Sequence, residues 1–223
     1  MHKGFGSWLS SVVRMLLATA VLAAPLVAEE GFVPLFDGKT LSGWIGATDG
    51  YVVRDGAIVC DEKTGGNLFT AKQYSDFVLR LDVLIPADGN NGIGLRSPNL
   101  QGNRVYDGIE IQVLDDPAEK YKSIQPWQHH GSVYGVIPAE QGSLRPAGQW
   151  NEQEITLQGR RIKVVVNGKT IIDGDLDAAA KSGAIDGKEH PGLKNVAGHI
   201  GFLGHGSAVA FRNIRLRELP ASK

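Results

Sequence analysis

The sequence predicts an all-β fold, a sandwich or a barrel, and three observations carry that reading. Glycine is abundant, with 29 residues in 223. The apolar segments are short and alternate with period two, the spacing that puts every second side chain on one face of a strand. Beyond the first thirty or so residues, no long stretch repeats with helical period. Many short alternating strands separated by turn residues are the mark of antiparallel β architecture.

Residues 1–28 read as a secretory signal peptide. Lys3 and Arg14 flank a polar start, and residues 15–24 form an apolar run too short to span a bilayer. Leu26-Val27-Ala28 ends in a small residue suited to cleavage, and Glu29-Glu30 follows. Pro25 interrupts the run, which favours a cleaved leader over an anchor. No Cys stands at the end of the leader for lipid attachment, and no later segment reads as a membrane span. The expected product is secreted or periplasmic.

Residues 29–223 then form one β-sandwich domain of about 195 residues, enough for a proper core. Without Lys3 and Arg14 the chain carries 21 basic and 24 acidic residues, a net charge of −3. A nearly neutral chain without a basic cluster argues against nucleic acid as a partner. Cys60 is the only cysteine, so no internal disulfide can form. It ends an apolar alternation and is expected to be a small buried hydrophobe. No Cys/His spacing suggests zinc, and no cofactor is expected. Loop carboxylates and carbonyls leave Ca²⁺ open, without a dedicated calcium-loop spacing.

The elements follow in order. Phe36, Leu41 and Trp44 are apolar anchors around Asp37-Gly38, with Trp44 tying the start of the domain to the core. Tyr51–Arg54 and Ala57–Cys60 flank Asp55-Gly56, a tight hairpin turn. A short strand is expected over residues 67–70. Phe77, Leu79, Leu81 and Val83 share the core face of a longer strand, with Arg80 and Asp82 opposite. Ile93 and Leu95 point inward from the next strand, placing Arg96 on the other face, in reach of Glu110 if the strands are neighbours. Asp116-Pro117-Ala118-Glu119 has the pattern of a helix start. Trp127–Gly135 reads as a polar and aromatic loop of the kind that lines sites. A meander follows, with strands near residues 152–157, 161–166 and 170–173 and a strong turn at Asn167-Gly168. Trp150 is expected in the core. Residues 177–181 form a short helix and 188–197 a loop. Two closing strands surround Gly204-His205-Gly206-Ser207, and Arg212 and Asn213 are expected to hold structure.

The chain is organised around Tyr106–Asp115. Ile109, Ile111 and Val113 alternate with Glu110 and Gln112, so an apolar face and a face of acid and amide belong to one strand. Asp115 adds a second carboxylate. Acid, amide and acid within six residues suit a polyhydroxylated ligand, although a solvated strand face would carry the same residues.

Several blocks in order resemble the 3-keto-disaccharide hydrolase domain family. They are Leu35–Trp44, Tyr74–Arg80, Asn90–Arg96, Gly108–Asp115, Gly148–Asn151, and Gly201–Gly206 with Phe211–Ile214, together covering nearly all of residues 32–219. Asn91-Gly92 stands where that family typically has Asn-Ser-Gly. The resemblance implies a concanavalin-A-like jelly-roll sandwich of two antiparallel sheets, with few short helices and the site on a concave sheet. It also implies exported proteins acting on 3-oxidised glycosides. Glu110–Asp115 is similar in addition to the Glu-x-Asp-x-x-Glu strand of laminarinase-like glycoside hydrolases, where two acids act as nucleophile and acid/base. Gln112 replaces the middle acid here, which points away from ordinary retaining hydrolysis. Asp115 would need a β-bulge to reach the face of Glu110.

A 3-keto group acidifies the proton on C2. A base can remove it, the enolate expels the aglycone from C1, and water adds to the resulting enone. Such a site needs a base, donors for the enolate oxygen and an acid at the leaving group. Glu110 is the first candidate for the base, or for an acid with a raised pKa. Arg96 suits the ketone oxygen, or a structural ion pair. His205, between glycines, is a candidate acid/base, and Asp115 is another, unless it caps the following turn. Gln112, Asn91, Tyr134 and His130 are candidate substrate contacts, and Trp127 a stacking platform. The expected function is cleavage of 3-keto-glycosides by elimination and hydration, with a small saccharide or glycoside as substrate. A non-catalytic carbohydrate-binding sandwich and an envelope interaction module are the rival readings.

Overall fold

A computed structural model of the chain describes residues 30–98 and 107–221, together with Met1. The leader, Tyr106 and most of the loop before it lie outside the described residues. Thirteen strands lie among the described residues: β1 Val33–Pro34, β2 Trp44–Gly46, β3 Tyr51–Arg54, β4 Ala57–Cys60, β5 Gly66–Tyr74, β6 Phe77–Leu84, β7 Asn90–Ser97, β8 Ile109–Leu114, β9 Trp150–Gln158, β10 Arg161–Val166, β11 Lys169–Asp175, β12 Gly198–Gly204 and β13 Ala210–Glu218. One short helix, α1 (Leu176–Ser182), and a few single 3-10 turns join them.

The strands form two antiparallel sheets, as a jelly-roll sandwich requires. The larger runs β11-β10-β9-β6-β13-β4-β3, with β1 paired to β13. The smaller runs β2-β5-β12-β7-β8. Alternation decides which face each strand buries. In β6, Phe77, Leu79, Leu81 and Val83 are buried in the core, while Arg80 and Asp82 on the outer face pair with Glu154 and Arg212. In the smaller sheet Ile93, Leu95, Ile109, Ile111, Val113 and Phe202 face inward.

Phe202 of β12 joins the two sheets. Its ring stacks on Phe211 of the larger sheet at 3.7 Å and on Trp44 at 5.2 Å. Burial of each such ring contributes about 1.5–3 kcal/mol. Trp44 also donates its indole N–H to the Leu35 carbonyl at 2.9 Å, which ties the start of the sandwich to its core. Asp55-Gly56 and Asn167-Gly168 adopt the positive φ angles of tight hairpin turns, 51° and 74° in the first and 50° and 82° in the second. Cys60 is a free, buried thiol.

Several local expectations are corrected. The strand expected over 67–70 extends through Tyr74, because it is central and pairs on both sides with β2 and β12. No helix starts at Asp116. Its carboxylate accepts the His130 amide at 2.8 Å, and only a single 3-10 turn, Glu119–Tyr121, follows. Trp150 is half-buried on the outer face of the larger sheet, under the Arg212 guanidinium at 4.0 Å. Among the described residues no helix is long and apolar enough to cross a membrane.

Candidate active site

Residues directly opposed in a sheet share a face, so the pairing defines the outer face of the smaller sheet. One row across it reads Glu110, Gly94, Gly201, Phe69, Ile45. The next reads Gln112, Gly92, Leu203, Asn67. Three glycines therefore lie between the acid and amide of β8 and the apolar residues beyond. They let neighbouring side chains lie flat on the backbone. A β-carbon at Gly92 would come within 2.2 Å of Glu110 Oε1, and one at Gly201 within 2.4 Å of the Phe69 ring.

The Glu110 carboxyl is 6% exposed, and no described residue donates a hydrogen bond to it. Burial pushes its pKa up to about 8, because a carboxylate loses its hydration there without gaining donors. Gln112 on the same face is equally enclosed and its amide makes no hydrogen bond to a described residue. A proton carrier and an amide, both without a hydrogen-bond partner among the described residues, are what a polar ligand would find on this face.

β8 is the last strand of its sheet, and the segment after the 3-10 turn Pro126–Gln128 covers its edge. Gln112 N donates to Ser132 O at 3.0 Å and Tyr134 N to Glu110 O at 3.0 Å, with Ile111 opposite Val133. Tyr134, the first residue of the turn that follows Val133, is therefore tied by its backbone to Glu110. Its ring meets Trp127 edge to face at 4.9 Å, and its hydroxyl accepts from Gln128 Nε2 at 3.3 Å. Trp127 and Tyr134 are both half-buried. The loop expected to line the site thus borders Glu110.

Other candidates lie elsewhere. Arg96 is 1% exposed and fully engaged. It donates to the carbonyls of Ser75, Gly159 and Asn195 and pairs with Asp76 at 2.8 Å. It clamps the β5–β6 and β9–β10 turns at one end of the sandwich. A left-handed φ of 48° ends the alternation that would have turned it toward Glu110. Asp115 accepts the Asp88 amide at 2.9 Å and holds the loop before β7. Asn91 shares parity with Ile93 and is fully buried toward the core, its Oδ1 taken by the Gly92 amide. His130 is also turned inward. Its Nδ1 accepts the Leu114 amide at 3.3 Å, and burial pushes its pKa down to about 4, which keeps it neutral. His205 is exposed on the loop after β12, and no hydrogen bond or ion pair joins it to Glu110.

Sequence reasoning passed over one pair. Asp186 and His190, in what reads as plain loop, form a buried contact at 3.1 Å against Gly135, next to Tyr134. An acid four residues before a histidine is the only sequence signal for it. Among the described residues no group of three His, Cys, Asp or Glu side chains is placed to hold a metal ion.

A jelly roll with an enclosed acid and amide on one sheet, bordered by aromatics, belongs to the class of carbohydrate-active β-sandwich proteins. The sequence model of the 3-keto-α-glucoside-1,2-lyase-like domain matches residues 31–217, and the chain belongs to that family. A 3-keto-disaccharide hydrolase of Bacteroides thetaiotaomicron is 28% identical, over 86% of this chain and 80% of that protein. The crystal structure of a candidate glycosyl hydrolase from Parabacteroides distasonis is 28% identical, with a TM-score of 0.75 over 84% of this chain and 99% of the other. A galectin-like protein of Bacillus subtilis, 11% identical with a TM-score of 0.56, covers 86% of this chain and 96% of its own, and supports the fold alone.

Proposed function

We propose that the protein is an exported enzyme that cleaves 3-keto-glycosides by eliminating the aglycone and hydrating the product. The observation that carries this reading is Glu110, a carboxyl lying on the glycine-lined sheet without a hydrogen bond from any described residue. A carboxylate whose pKa sits near 8 is a far stronger base than an ordinary one, and the proton beside a ketone is acidic enough for it to take. The step needs one base, not the paired carboxylates of a retaining hydrolase. That fits the presence of Gln112 on the face of Glu110 and the use of Asp115 in a loop. In this reading Gln112 hydrogen-bonds the sugar. The family and the Bacteroides relative support the substrate class, and the leader read in residues 1–28 supports export.

The test is to incubate the purified protein with a 3-keto-glucoside and with its unoxidised parent, with and without chelator. Aglycone release from the oxidised sugar alone is expected, and Glu110→Gln should abolish it. Binding of intact glycans without turnover of oxidised ones would establish the carbohydrate-binding reading instead. Export is checked by sequencing the N-terminus of the protein from the extracytoplasmic fraction, which should begin at Glu29.

A further inference from the structure

We infer that Tyr134 is the proton donor to the departing aglycone oxygen. The inference rests on the proposed elimination at Glu110 and assigns the acid that the step still lacks, now that Asp115 and Arg96 are engaged elsewhere.

Two pieces of geometry carry it. The first is position. Tyr134 opens the turn after the Ile111–Val133 pair, and its amide donates to the Glu110 carbonyl at 3.0 Å. The chain turns away after Val133, so the Tyr134 side chain leaves the edge of the sheet at the level of Glu110. A sugar ring lying with C2 at Glu110 therefore presents C1, the adjoining carbon, to the neighbouring position.

The second is the direction of the phenol's hydrogen bond. The Gln125 backbone N–H can only donate, and it donates to the Gln128 side chain at 3.0 Å. That atom is therefore the amide oxygen, and the group facing Tyr134 at 3.3 Å is the amide nitrogen. An NH₂ can only donate, so the Tyr134 oxygen accepts there. Its own proton must point elsewhere. Trp127, edge to face at 4.9 Å, and the closed 3-10 turn hold the ring and the amide in place.

The step balances. The C2–H bond breaks and its proton passes to the Glu110 carboxylate. The electron pair forms the C1–C2 double bond conjugated with the C3 ketone, the C1–O bond breaks, and the leaving oxygen takes the Tyr134 proton. Water then adds at C1 and gives its proton to the Tyr134 phenolate, while the proton on Glu110 returns to C2, which restores both groups.

An aglycone that leaves easily needs no acid, and this sets the test. The 3-keto derivatives of an alkyl glucoside and of a nitrophenyl glucoside are compared in wild type, Tyr134→Phe and Glu110→Gln. Tyr134→Phe should lower kcat/KM for the alkyl substrate about 100-fold more than for the nitrophenyl one. Glu110→Gln should lower both alike. A fluorinated tyrosine at 134 keeps the shape and acidifies the phenol, so it should move the high-pH limb of the alkyl profile to lower pH. Equal losses on the two substrates in Tyr134→Phe, or an unmoved profile in the fluorinated protein, would overturn the assignment. A wild-type protein inactive on both substrates would remove the elimination reading itself.

Discussion

The Glu110 carboxyl lies over Gly92, on the neighbouring strand and one row along the sheet. A β-carbon at 92 would meet Oε1 at 2.2 Å, Cδ at 2.9 Å and Cγ at 3.1 Å. The three nearest atoms it would strike all belong to one side chain, and that side chain can swing away. The glycine therefore serves the position of the acid more than the stability of the sheet.

Gly92→Ala separates the two. The backbone there needs no positive φ, so alanine fits the strand. The folded protein should keep its melting temperature within a few degrees, while the displaced carboxyl loses its alignment with C2. Misplacement of a reacting group by about 1 Å costs on the order of 100-fold. Thermal melts and aglycone release from a 3-keto-glucoside check both halves. Unchanged turnover would remove Glu110 from its reacting position.

The activity should follow the ionisation of Glu110. A base must be deprotonated to act, and burial holds the Glu110 carboxyl near 8. For the nitrophenyl substrate, which needs no acid, kcat/KM should therefore rise about tenfold per pH unit below that point and level above it. A profile that falls through the same region would make Glu110 the acid instead.

Much of this was legible in the chain. Ile109, Ile111 and Val113 alternate so regularly that Glu110 and Gln112 could only share the opposite face, and the structure places them there. Asn91 obeys the same rule, since its parity with Ile93 and Leu95 sends it inward. Arg96 was not legible. Its φ of 48° breaks the alternation, and its partners Asp76, Gly159 and Asn195 are distant in sequence. Asp186 and His190 were hidden for a related reason: only the fold brings them against Gly135. Periodicity reports faces, whereas the ends of the sandwich are assembled from loops that carry no period.

Arg96 and Asp76 should behave as structural residues. Their pair is 1% and 6% exposed, and Gly159 N donates to the same carboxylate at 2.9 Å. Removing one member leaves a buried charge, which costs about 3–5 kcal/mol. Arg96→Ala and Asp76→Ala should each lower the melting temperature by roughly 6–20 °C, at about 2–4 °C per kcal/mol for a chain of this size. Loss of turnover in Arg96→Ala with an unchanged melt would return Arg96 to the catalytic set.

The dependence of stability on pH should expose Glu110 a second time. Its ordinary pKa is 4.5 and its folded value about 8. Between those limits the folded chain keeps a proton that the unfolded chain releases, so stability falls as pH rises through the window. His130 acts in the other direction: ordinarily at 6.5, it is held to about 4, so stability falls as pH drops below 6.5. From 4.5 to 6.5 the two slopes oppose each other. Above 6.5 only the remaining half-charge of His130 in the unfolded chain is lost, a small rise beside the fall that Glu110 causes. Wild type should therefore lose melting temperature between pH 6.5 and 8.5. Glu110→Gln, which has no proton to lose, should not, and the gap between the two should widen by several degrees across that interval. Paired melts at half-unit steps measure it. Parallel curves would mean that Glu110 titrates in the folded protein as it does in the unfolded chain, and the enclosure of its carboxyl would then have to be given up.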